Sequence, residues 1–93
     1  MRFEIWYKRS VVDDDIPKLP KKAKGQIEVA IREKLTTHPE RFGKPLRESL
    51  KGYRRLRGGD YRVIYRIEGE NVKIFAIQKR SDVYRKVKIR ILS

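Results

Sequence analysis

The 93-residue chain contains no cysteine, a single histidine, His38, and a single tryptophan, Trp6. The missing thiols rule out a disulfide framework, a thiol nucleophile and a cysteine-ligated zinc site. One histidine cannot build a metal cluster, so no metal or other cofactor is expected. No apolar run approaches the roughly 20 residues of a membrane-spanning helix. The opening Met1-Arg2-Phe3-Glu4 carries charge where a signal peptide needs an apolar stretch, which predicts a cytoplasmic protein with no membrane partner. Acidic residues are also scarce, 12 against 25 Lys and Arg, for a formal net charge of +13. The excess is uneven, +4 over residues 1–46 and +9 over residues 47–93. Such an imbalance opposes folding by self-repulsion and attracts polyanions, nucleic acid above all.

Much of the charge is presented by Gly52–Ile67, where two strand-like runs meet at Gly58-Gly59-Asp60. Tyr61, Val63, Tyr65 and Ile67 alternate with Arg62, Ile64 and Arg66, and alternate strand residues share a face. Arg54, Arg55, Arg57 and Arg62 fall within nine residues, and Asp60 is the only acidic residue between Lys51 and Ile67. Arginine is a planar, permanently charged fork matched to phosphate. A solvated sheet face would ordinarily mix both signs, so the pattern favours a polyanion-binding surface with Arg62 pointing outward.

Elsewhere the periodicities predict an α+β domain spanning 1–93. Phe3, Ile5 and Tyr7 alternate with charged residues and Trp6, giving an N-terminal strand over 2–8 with Trp6 away from its core face. Ser10 is a candidate N-cap, and Asp13, Asp14 and Asp15 read as a solvated first turn favoured by the helix dipole. Ala23, Ile27, Ala30, Ile31 and Leu35 form the stripe of an amphipathic helix, which ends before Pro39. Together these helices form a hairpin packed on one face of an antiparallel sheet. His38 is placed to cap the helix carbonyls. Phe42, Leu46 and Leu50 are expected to anchor a connecting loop to the core. After a turn at Glu68–Asn71, the strand Val72–Lys79 places Val72, Ile74 and Ala76 on one face and Lys73, Phe75, Ile77 and Lys79 on the other. The last segment fits either a short helix from Val83 or a strand over Val87–Ile91.

Three blocks carry a resemblance to a known family: Gly43-Lys44-Pro45-Leu46, Leu50–Arg57 with Gly59–Tyr65, and Ile77–Arg85, in which an arginine is followed at four positions by a tyrosine. Their order in a short basic chain resembles the RelE/ParE toxin superfamily. RelE-type members are metal-independent ribonucleases that cut messenger RNA in the ribosomal A site; ParE-type members poison DNA gyrase. The resemblance to the former implies attack by a ribose 2′-hydroxyl on the adjacent phosphate, with Arg62, Arg80 and Tyr84 as catalytic residues. Arg54, Arg55, Arg57, Lys79 and Arg85 would hold RNA phosphates. Partners implied are the message, ribosomal RNA and a cognate RelB-like antitoxin; a ParE-like gyrase inhibitor and a non-catalytic RNA-binding homologue are the alternatives. Lys79 stands where many relatives have histidine, and Tyr53 where some have lysine, which thins one side of the site. A two-residue turn at Gly69-Glu70 would pair Arg62 with Ile77, and strict alternation would then put Lys79 on the face of Arg62 and Arg80 on the core side. Only a strand irregularity, expected near Gln78, would bring Arg80 to the site.

Overall fold

The computed structural model describes residues 2–92; Met1 and Ser93, the ends of the 1–93 domain reading, lie outside the described residues. Strand β1 (Glu4–Tyr7) leads into helical turns over Val11–Asp15 and Ile16–Lys18. Helix α1 (Lys21–Ala30) follows and runs on with wider hydrogen bonding through Ile31–Leu35. A short helix α2 (Pro39–Phe42), a two-residue strand β2 (Lys44–Pro45) and a 3₁₀ turn (Glu48–Leu50) precede β3 (Arg54–Gly58), β4 (Tyr61–Glu68) and β5 (Asn71–Lys79). Helix α3 (Val83–Leu92) closes the described chain, so the C-terminal segment is a helix.

The strands form one sheet in the order β1-β5-β4-β3-β2. Strands β2 to β5 are antiparallel, while β1 runs parallel to β5, so the sheet is mixed at one edge. A parallel neighbour requires a crossover; here the intervening helices and the β2–β4 chain supply it. Ile27, Ile31 and Leu35 pack onto Val63, Tyr65, Leu56, Val72, Ile74 and Ile77 on one face. The Thr36 and Thr37 hydroxyls cap the carbonyls of Arg32 and Glu33, the role expected of His38, whose Nδ1 instead lies 3.7 Å from Glu40.

The second face is not the bare basic surface that alternation suggests. Val83 and Val87 of α3 cover Ile64, Phe75 and Ala76, with Leu50 and Tyr53 completing a second apolar cluster. The Tyr53 ring meets Phe75 edge-on at 5.0 Å, and the Arg66 guanidinium lies 5.2 Å from its centroid. Both clusters depend on one irregularity. Ile64 pairs with Ala76 but Tyr65 pairs with Ile74, which leaves Phe75 as an extra residue in β5. The bulge moves Ile77 to the face of Val72 and Ile74 and sends Ala76 to the other, reversing the expected alternation beyond Phe75.

The Asp13–Asp15 turn is also only partly solvated. Asp15 is buried and bonded to Arg90, Gln78 and the Ile77 amide, while Asp13 pairs with Arg9 at the surface. The Ser10 hydroxyl makes no cap bond. No helix among the described residues is long and apolar enough to cross a membrane.

Candidate functional site

At the end of the sheet where β3 turns into β4, a cleft of about 470 Å³ is lined by Phe42, Lys44, Arg55, Arg57, Arg62, Arg80 and Tyr84. Five of these seven carry a positive charge and none is acidic. Arg55 and Arg57 project from the same face of β3, and Arg57 stands directly opposite Arg62 of β4. Like charges directly opposed across strands destabilise a sheet, so the arrangement opposes folding unless an anion lies between them. Arg80 joins because of the Phe75 bulge. Arg62 is thereby paired with Gln78 rather than Ile77, and alternation from Gln78 returns Arg80 to the face of Arg62. The irregularity that the site requires lies three residues before the expected one.

Arg62 forms the floor. It is 7 % exposed, not outward-facing as the alternation suggests, and its Nη1 donates to the Gly59 and Tyr61 carbonyls at 2.9 Å each. Desolvation lowers its pKa from the ordinary arginine value, and the charges of Arg57, Arg80 and Arg55 push in the same direction. Tyr84 sits in the first turn of α3, where packing of Val83 and Val87 on the sheet fixes the helix. Its hydroxyl accepts a hydrogen bond from Arg55 Nη1 at 2.8 Å, leaving its own proton free to point elsewhere.

Three predicted phosphate ligands stand apart from the cleft. Lys79 pairs with Tyr61 on the α1 side of the sheet and lines a separate hollow with Asp15, Lys18 and Leu19. The same bulge that recruits Arg80 excludes Lys79. Arg54 also faces the helix side, where its Nη2 donates to the Glu40 and Gly43 carbonyls at 2.7 Å each. Arg85 is exposed, 3.7 Å from Asp82. In their place the structure adds Lys44, which pairs with Arg55 from the edge strand β2, and Phe42, expected in the core but 47 % exposed. Lys44 lies within one of the motif blocks, but nothing in the local pattern announces a two-residue edge strand. Tyr53 is buried beneath Arg66 and takes no part. Among the described residues no group of three or more His, Cys, Asp or Glu could hold a metal ion.

Residues 8–84 match the family described as ParE toxin of type II toxin-antitoxin system, parDE. The chain belongs to the RelE/ParE toxin superfamily. Within it, the toxin is 40 % identical over 73 residues to toxin RelE of Mycobacterium tuberculosis, covering 76 % of this chain and 75 % of the relative. It is 38 % identical over 74 residues to toxin RelG of the same organism, covering 77 % and 85 %. These similarities make it a toxin of RelE type. Among solved structures, the toxin–antitoxin complex RelBE2 from Mycobacterium tuberculosis matches with a TM-score of 0.78 and 29 % identity, over 86 % of this chain and all of that one. A free-state mutant of E. coli toxin RelE, 21 % identical, matches with a TM-score of 0.76 over 98 % and 99 %, and shares the fold.

Proposed function

We propose that the toxin is an endoribonuclease that cuts messenger RNA on the ribosome without a metal ion. The observation that carries this reading is the convergence of Arg55, Arg57, Arg62, Arg80 and Tyr84 on one cleft devoid of carboxylates. In the reaction, a ribose 2′-oxygen bonds to the adjacent phosphorus, the bond to the 5′-oxygen breaks, and a 2′,3′-cyclic phosphate and a free 5′-hydroxyl result. Negative charge develops on the phosphate oxygens and the leaving oxygen, and preorganised cations in a partly dry cleft meet it without reorganisation. Arg57 and Arg80 face the phosphate from the walls and Arg62 from the floor. The Tyr84 hydroxyl, held by Arg55, orients the 2′-oxygen, whose proton is lost to solvent as the departing 5′-oxygen takes one up.

The Mycobacterium tuberculosis RelBE2 structure and the Pyrococcus horikoshii RelE–RelB structure, 25 % identical with a TM-score of 0.65, are both complexes with an antitoxin. They support a RelB-like antitoxin as this toxin's protein partner, its acidic side chains matched to the cleft. Ribosomal RNA and the message in the A site are the nucleic-acid partners, and the cytoplasm is where they meet. An antitoxin that binds only the folded toxin raises its melting temperature and abolishes growth arrest on co-expression.

The ParE description of the matching family motivates one rival, a gyrase inhibitor that needs no catalytic groups. Induced expression followed by mapping of transcript ends separates the two. Codon-phased cuts are the expected result; intact transcripts with arrested DNA synthesis favour the rival. On purified ribosomes with a programmed message, Tyr84→Phe should slow cleavage while leaving binding unchanged. Parental rates in both Tyr84→Phe and Arg80→Ala would sink the ribonuclease reading and leave a toxin that only binds.

A further inference from the structure

Of the residues lining the cleft, Phe42 alone has no polar group in its side chain and so no part in the phosphate chemistry. Single exposed apolar side chains are ordinary on protein surfaces, so exposure alone assigns it nothing. What distinguishes Phe42 is how firmly its backbone is held in that position. The Arg41 and Phe42 amides donate to the His38 carbonyl at 3.0 and 3.3 Å. Buried Tyr65 donates its hydroxyl to the Pro39 carbonyl at 2.7 Å. Arg54 grips the carbonyls on either side of the residue pair Arg41–Phe42, those of Glu40 and Gly43. Gly43 lies so close to the Tyr65 ring that a Cβ there would fall 1.9 Å from the phenolic oxygen. Lys34 Nζ stands 5.7 Å from the Phe42 ring centroid. A rigid scaffold therefore presents a half-exposed aromatic ring at the wall of a cationic cleft that also holds Tyr84.

We propose that Phe42 is a base-stacking platform, on which a nucleobase next to the phosphate in the cleft lies flat. The proposal rests on the reading of the cleft as an RNA site and adds to it a specificity-determining contact. Single-stranded RNA is held by two complementary means, cations along the backbone and aromatic faces under the bases. Arg55, Arg57, Arg62 and Arg80 supply the first, and Phe42 supplies the second. Every base has a π-face, so the platform favours a stacked base over an absent one, and larger purines over pyrimidines, without hydrogen-bonded readout. Arg54 then acts as a positioning residue: it touches no RNA but fixes the turn that carries the ring.

The test uses the full-length toxin and a short oligoribonucleotide with a 2′-O-methyl nucleotide blocking attack and 2-aminopurine beside it. A matched probe has an abasic site in place of the 2-aminopurine. Phe42→Ala and Phe42→Leu should weaken binding of the base-bearing probe by roughly tenfold, the size of losing one stacked base. Phe42→Trp should restore it and quench the 2-aminopurine fluorescence at least as strongly as the parent. All four proteins should bind the abasic probe alike and melt at the same temperature. Equal affinity of parent and Phe42→Ala for the base-bearing probe overturns the platform, as does an equal loss on the abasic probe. Unblocked RNA on programmed ribosomes is assayed alongside. Base-dependent binding without cleavage by the parent overturns the ribonuclease reading and leaves the platform standing. Failure of the parent to bind either probe overturns the platform, while cleavage on programmed ribosomes alone decides the ribonuclease reading.

Discussion

Asp15 and Arg90, 75 residues apart, form a two-point ion pair: Nη1 lies 2.7 Å from Oδ2 and Nη2 2.6 Å from Oδ1. The same carboxylate accepts from the Ile77 amide at 2.8 Å and from Gln78 Nε2 at 2.6 Å, and Arg90 also donates to the Phe75 carbonyl at 2.9 Å. The register of β1 on β5 ends at Ile74. Beyond it the edge of β5 needs other partners, because buried backbone polar groups are rarely left unpaired. Asp15 and Arg90 provide them, joining the N-terminal turns, the sheet edge and α3.

Breaking this pair should be costly. Asp15→Ala removes the buried carboxylate that Arg90, Gln78 and the Ile77 amide share, a loss of about 3–5 kcal/mol by analogy with other buried pairs. Denaturant unfolding of the free toxin measures it. Asp15→Ala combined with Arg90→Met should recover part of the loss, since the guanidinium whose counter-charge is removed is then replaced by an apolar group of similar length. A single-variant change below about 1 kcal/mol would mean that water replaces the pair.

Arg62→Ala and Arg80→Ala should separate stability from chemistry. Arg62 is buried and bonded to two turn carbonyls, so its removal should cost about 1–3 kcal/mol as well as lowering cleavage. Loss of repulsion from Arg57 and Arg80 offsets part of that cost. Arg80 is exposed, and Arg80→Ala should change stability by less than about 0.5 kcal/mol. Each should reduce the cleavage rate by about 10²–10³-fold, the typical loss for one preorganised donor to a developing oxyanion. Thermal melts beside single-turnover rates read both quantities.

Lys79→Ala and Lys44→Ala should behave oppositely. Lys79 faces the helix side, and its loss should leave cleavage within about twofold of the parent, the change being confined to a weakly coupled surface charge. Lys44 lines the cleft, and its loss should weaken RNA binding and flatten the dependence of log K on log salt by about one counterion. Titrations at several salt concentrations distinguish the two.

Gly43→Ala tests the close approach behind Phe42. The Gly43 φ of −100° suits any residue, so the constraint is steric rather than conformational. A methyl group must displace the Tyr65 ring or the turn itself, which should cost about 1–3 kcal/mol. For a domain of this size each kcal/mol lowers the melting temperature by about 4–8 °C. An unchanged melting point would show that the turn yields freely.

The succession of a strand, two helical segments and a three-stranded meander, the amphipathic stripe of Ile27, Ile31 and Leu35 and the arginine-rich hairpin were readable from the amino-acid order alone, because burial imposes a period that the residues must match; α2, β2 and the helical state of the last segment were not. The resemblance of the motif blocks supplied the family and drew attention to Arg55, Arg57, Arg62, Arg80 and Tyr84. Tertiary structure decided which cations share a cleft. Phe75, Ala76 and Ile77 are all apolar and suit either sheet face, so the one-residue bulge among them leaves no trace in the hydrophobic pattern, yet it carries Arg80 into the cleft and turns Lys79 out. The pairing of Asp15 with Arg90 was equally hidden. Nothing local distinguishes that carboxylate from Asp13 and Asp14; only the end of β1, which leaves the Ile77 amide in need of an acceptor, selects it.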